Sequence, residues 1–188
     1  MIGKSSPWGK IQSSEEMAPG IWWVSTAGHG GIKLSAELNR KVLRSGRSQG
    51  GFYEEDCEVS IVILTFPEHF DEKISGQANT ACKNYFPEFY QELTGRKLNI
   101  DESEQLQQED FEKKTANLFV VISAWGSWAN SEIKENQVLV CATIGGSRSY
   151  EVPTEYFLVD SEEYEARPSG FGFVIDTSRH NRTSIRPK

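Results

Sequence analysis

The chain is short of the residues that carry the best-known chemistries. It has three cysteines, Cys57, Cys82 and Cys141, an odd number with no CxxC spacing. That excludes a disulfide framework and a zinc knuckle and reads as reduced thiols of a cytosolic protein. It has three histidines, His29, His69 and His180, and no HExxH, HxH or His/Cys set with structural zinc spacing. No metal or other cofactor is expected. The phosphate-loop patterns GxxxxGK[ST] and GxGxxG are absent, as is a GxSxG nucleophile elbow. No apolar run reaches 18 residues, so no transmembrane helix is expected, and Met1–Trp8 lacks the apolar core of a signal peptide. Positive charge is also in short supply. The formal net charge is −7 over 188 residues, which argues against a general nucleic-acid binder, since that needs a basic face. The same charge is ordinary for solubility and does not alone make a DNA mimic.

What is present points to one α+β domain. Residues 1–16 read as an N-terminal arm, 17–176 as the domain and 177–188 as a basic tail with Arg179, Arg182, Arg186 and Lys188. β-branched and aromatic runs predict strands near 21–26, 118–124, 138–144, 155–159 and 171–175, joined in one mainly antiparallel sheet. Apolar spacing predicts helices near 35–44, 55–66 and 72–93, packed on one face of it, with Ser35 as an N-cap. Pro87 can open a second helix inside the last of these. The carboxylates Glu54, Glu55 and Asp56 suit the positive end of the 55–66 helix. The tail reads most simply as solvated.

The densest concentration of backbone freedom beside a titratable group is Gly28-His29-Gly30-Gly31, after the strand that ends in Ser25-Thr26. Three glycines permit close approach of another group, and such a loop can turn N–H groups toward an anion. Imidazole changes charge near neutrality. His29 with Glu54, Glu55 or Asp56 would make an acid–base pair or, with metal assistance, a hydrolytic site. Arg148 could hold a phosphate or carboxylate bidentately and Trp125 could stack on a ring, although large aromatics more often pack a core. Cys57 follows three acids, which disfavour its thiolate. The expected ligand-binding set is Ser25, Thr26, Gly28, His29, Gly30, Gly31, Tyr53, Trp125 and Arg148. A special backbone at Gly30 predicts that Gly30→Val damages the protein more than Gly46→Val in the Arg44–Gly51 loop.

Several blocks also resemble one family: Ala18-Pro-Gly with Val24-Ser-Thr-Ala-Gly-His-Gly-Gly31, Tyr53-Glu-Glu-Asp-Cys57, Val121-Ile-Ser-Ala-Trp-Gly126, Ala142-Thr-Ile-Gly-Gly146 and Phe173-Val-Ile-Asp176. It is a domain family of unknown function carried by phages, plasmids and other mobile elements, and the resemblance runs from about residue 17 to 180. It supplies no catalytic residues. It implies an accessory, counter-defence protein of the host cell cytoplasm, which binds a small anionic, nucleotide-like ligand or a host defence protein without turnover. The competing expectation is a hydrolase built on His29 and the 54–56 acids. A two-fold dimer is the default oligomer.

Overall fold

The computed structural model describes residues 3–167 and 171–188. The fold is α+β with antiparallel sheets, in two compact units, Met1–Gln107 and Gln108–Lys188.

In the first unit, β1 (Ser5–Ser6) and β2 (Gly9–Lys10) form a small hairpin. A four-stranded sheet then runs in the order β3 (Ser13–Ala18), β4 (Ile21–Ser25), β5 (Gly30–Leu34), β6 (Phe52–Glu54). Successive side chains alternate between its faces. Ile21, Ile32, Leu34 and Tyr53 form a core with Ile61 and Val62 of α2 (Val59–Thr65), Cys82 of α3 (Glu72–Tyr85) and Phe89 and Tyr90 of α4 (Pro87–Thr94). α1 (Ala36–Lys41) starts where expected, with the Ser35 hydroxyl accepting from Leu38 N at 3.2 Å. Pro87 opens α4, and Gly95, at φ 67°, stops it.

In the second unit, the sheet order is β10 (Asn181–Arg182), β9 (Glu155–Asp160), β8 (Gln137–Ile144), β7 (Phe119–Trp125). Val140, Ala142, Phe157, Val159, Phe173 and Ile175 make one core cluster, and Ala129, Ile133 and Leu139 a second. α6 (Ser161–Glu165) follows β9, capped by the Asp160 carboxylate on Glu162 N and Glu163 N. The last turns of α5 (Glu104–Thr115) also belong to this unit.

Five expectations need correction. The 21–26 strand does not share a sheet with the later strands; it pairs with β3 and β5. The segment 171–175 contributes one isolated bridge, Val120 to Val174, in place of a full strand. The N-terminal arm is paired backbone from Ser13 onward. The acids at 54–56 do not cap a helix: Glu54 ends β6, α2 begins only at Val59, and its N-cap Glu58 makes no side-chain cap bond. The tail is docked, not solvated. Asn181 and Arg182 pair with β9, Lys188 N donates to Ala129 O at 3.1 Å, and His180 is buried.

That docking centres on Glu163. Arg179 grips both its oxygens, and His180 Nε2 lies 3.3 Å from each. His180 Nδ1 accepts from Asp176 N at 3.1 Å, so the ring proton sits on Nε2 and donates to Glu163. Arg179, and after it His180, hold the Glu163 carboxyl below its ordinary range. A depressed carboxyl stabilises the fold at pH values above its unfolded pKa of about 4.3 and loses that contribution as pH falls through its folded value. Protection factors at residues 179–183, taken relative to the intrinsic exchange rate at each pH, should therefore fall on acidification below that range. Glu163→Gln should show the reduced protection already at pH 7, and unchanged protection factors would refute this role for the pair.

Candidate functional site

The β4–β5 hairpin closes on Thr26 and His29. Thr26 N and Thr26 Oγ1 both donate to His29 O, at 2.8 and 2.9 Å, and Thr26 Oγ1 accepts from His29 N at 3.2 Å. Next to it, β5 and β6 pair Gly31 with Glu54. This register sets the Glu54 carboxylate under the imidazole, with His29 Nδ1 3.5 Å from Glu54 Oε1. Glu54 Oε2 accepts from Asp56 N at 2.7 Å, whereas Oε1 is buried and accepts no hydrogen bond. The imidazole side chain is 57% exposed and the carboxylate 20%. An exposed ring over an incompletely satisfied carboxylate can take up and release a proton, which is the elementary step of general acid–base chemistry.

The same geometry removes the anion cradle expected of the glycine loop. Gly30 N donates to Glu55 Oε1 at 2.8 Å, and Glu55 N donates back to Gly30 O at 3.1 Å. The loop donor is thus spent on the protein's own carboxylate. Glu58, whose Oε2 accepts from Glu54 N at 3.0 Å, adds more negative charge nearby. An anion placed here would meet repulsion. Ser25 Oγ accepts from Trp23 Nε1 at 3.2 Å. Tyr53 is buried, its hydroxyl donating to Asn39 Oδ1 at 2.7 Å and accepting from Ser48 N at 3.2 Å. These are structural roles. Gly28 alone of the loop glycines has open space around it.

Two of the three cysteines have thiolates disfavoured by their surroundings. Burial, and then Glu58, Glu54 and Asp56, raise the Cys57 thiol. Burial pushes Cys82 up to about 11. Among the described residues no group of three or more His, Cys, Asp or Glu side chains could hold a metal ion.

Trp125 and Arg148 belong to the second unit and have different surroundings. Trp125 stacks on Tyr156 with centroids 6.3 Å apart and planes at 20°, and the Arg186 guanidinium lies 3.9 Å from the Tyr156 centroid. The tail arginine and the two rings form a packed pile, so Trp125 is scaffold. Arg148 is exposed at the rim of a cavity of about 570 Å³. Among the described residues it has no hydrogen-bond or ion-pair partner. The cavity is lined by the turn Gly145-Gly146, at φ 63° and 69°, which takes the chain off the end of β8. Gln108, Glu112 and the rings of Phe111 and Phe171 also line it, and Gln108 Nε2 donates to Glu112 Oε1 at 2.7 Å. The sequence signals Gly145-Gly146 and Arg148. It gives no sign that Phe111, in a mostly polar helix, and Phe171, which opens the segment expected as a strand, meet at one cavity.

Set against known protein families, residues 1–116 match a family described as a domain of unknown function, DUF7007. No curated protein and no solved structure matches the chain. No described helix is long and apolar enough to cross a membrane.

Proposed function

We propose, for a chain that belongs to the DUF7007 family and takes no reaction from it, that the protein binds a small anionic ligand without turnover, in the cavity beside Arg148. The observation that carries this reading is the guanidinium of Arg148, unpaired among the described residues on the rim of a cavity of about 570 Å³. That volume is in the range of small-molecule sites. A guanidinium offers two parallel donors to a phosphate or carboxylate. The cavity also has aromatic walls, and among the described residues that line it no nucleophile stands in a recognisable catalytic setting. The resemblance of the chain's sequence blocks to domains of mobile elements adds a biological setting: an accessory protein that sequesters a host signal as counter-defence in the host cytoplasm. Capture of a host defence protein is the other form of that setting.

A second reading rests on a separate observation, the 3.5 Å approach of His29 to a Glu54 oxygen that accepts no hydrogen bond. It makes the protein a hydrolase with His29 as the proton carrier. Its metal-assisted form has no ligand set among the described residues.

Incubation with a panel of phosphate-bearing ligands, with and without divalent metal, followed by mass analysis separates the two. Sequestration predicts intact ligand retained by the protein and lost in Arg148→Ala. New products that disappear in His29→Ala would establish the hydrolase instead.

A further inference from the structure

We propose, resting on the reading of the protein as an anion binder, that the ligand is an amphipathic anion, with its charged head against Arg148 and an apolar body in the groove next door. That groove, of about 390 Å³, lies within the second unit and is walled by Phe111, Ala166, Phe171, Phe173 and Val174. Phe111, Phe171 and Gly172 line it and the Arg148 cavity alike. The two hollows are therefore neighbours divided by one aromatic pair, whose centroids are 5.9 Å apart with planes at 32°. Gly172, at φ 104°, passes the chain between them without a side chain.

The polar inventory of the two hollows differs, and the difference selects the ligand class. Among the described residues the groove has two charged side chains, Glu163 and Arg167. Both Glu163 oxygens are held by Arg179 and His180. Arg167 Nη1 donates to Tyr164 O at 2.6 Å, and its guanidinium covers the Tyr164 ring at 4.0 Å. Against the wall of Phe111, Ala166, Phe171, Phe173 and Val174 a sugar or base edge would leave its own donors and acceptors unpaired, which is costly in an apolar site. An alkyl or aryl body meets no such cost and gains from burial. The only cation of the pair of hollows left without a partner among the described residues is Arg148. One apolar lobe and one unpaired guanidinium fit an alkyl or aryl phosphate or carboxylate better than a nucleotide.

The test is calorimetric titration of the full chain with inorganic phosphate, adenosine monophosphate and dodecyl phosphate, each at monomeric concentration. Dodecyl phosphate should bind at least tenfold tighter than either other probe. Arg148→Ala should weaken it at least tenfold. Ala166→Phe, at an exposed position on the groove wall, should do the same to dodecyl phosphate while leaving adenosine monophosphate unchanged; near-ultraviolet circular dichroism checks that both variants fold. Adenosine monophosphate binding as tightly as dodecyl phosphate, and lost in Arg148→Ala, would overturn the amphipathic class and leave the anion-binding reading standing. Dodecyl phosphate binding that ignores both substitutions would be apolar adsorption and would overturn the proposal. Failure of every probe to bind would overturn both readings.

Discussion

Gly31→Ala should cost about 3 kcal/mol of stability, at the upper end of what overpacking removes from a protein, while Gly28→Ala should change it by no more than about 0.5 kcal/mol. A Cβ on Gly31 would stand 2.1 Å from Tyr53 O and 2.6 Å from the Trp8 ring. The ring could swing away. The carbonyl cannot, because β6 is paired to β5 on both sides of it, at Ile32 with Tyr53 and at Gly31 with Glu54. Relief requires β6 to retreat, and Glu54 would retreat with it from His29. The same variant should therefore lose stability and separate the His29–Glu54 pair. A Cβ on Gly28 meets nothing within 4 Å. Urea unfolding followed by tryptophan fluorescence measures both variants, and equal midpoints would contradict the tight approach of β6 to β5.

Gly46→Val should be the second large loss, also about 3 kcal/mol, and should exceed Gly30→Val. This reverses the order expected from the sequence. A Cβ on Gly46 would lie 2.6 Å from Phe89 Cδ2 and 2.9 Å from Ile61 Cγ2, both in the core of the first unit. Core rings have nowhere to go without displacing their own neighbours. A Cβ on Gly30 would lie 2.6 Å from Glu55 Oε2, the far end of a flexible side chain, and 3.1 Å from Trp23. Turning Glu55 aside loses one hydrogen bond, worth about 1.5–3 kcal/mol where a charged group takes part, but opens no core. Thermal melts of the two variants side by side decide the order.

Gly46 also marks where the sequence is a poor guide. Arg44–Gly51 has the composition of a flexible loop, yet one of its glycines is small because a phenylalanine presses on it. Gly30 and Gly31 mislead in the opposite direction. They look like loop residues and are the first residues of β5, where glycine admits a neighbouring backbone. β3, Ser-Ser-Glu-Glu-Met-Ala, has no apolar alternation because it is a nearly fully exposed edge strand. The later strands β7, β8 and β9 are legible, since their β-branched and aromatic runs are buried on the sheet. Ser35 is legible for the same kind of local reason, a hydroxyl three residues ahead of the N–H it caps. The docked tail is not, because it is held by Glu163, by two β10 residues and by guanidinium–ring contacts of Arg182 and Arg186, which leave no periodicity.

The candidate site divides the same way. The segments that carry His29 and Glu54 stand out by composition, but their contact depends on the register of β5 with β6, which a missed strand conceals. Arg148 and its glycine turn are visible in the sequence. The cavity they edge depends on Phe111 and Phe171, 60 positions apart in the chain, and no spacing rule joins such a pair.

The most direct measurement is the mass of whatever the purified protein carries, read under native conditions for the wild type and for Arg148→Ala. Anion binding beside Arg148 predicts an intact, negatively charged small molecule released on denaturation of the wild type and missing from the variant. The same adduct on both proteins, or none on either after exposure to the phosphate panel, would contradict it.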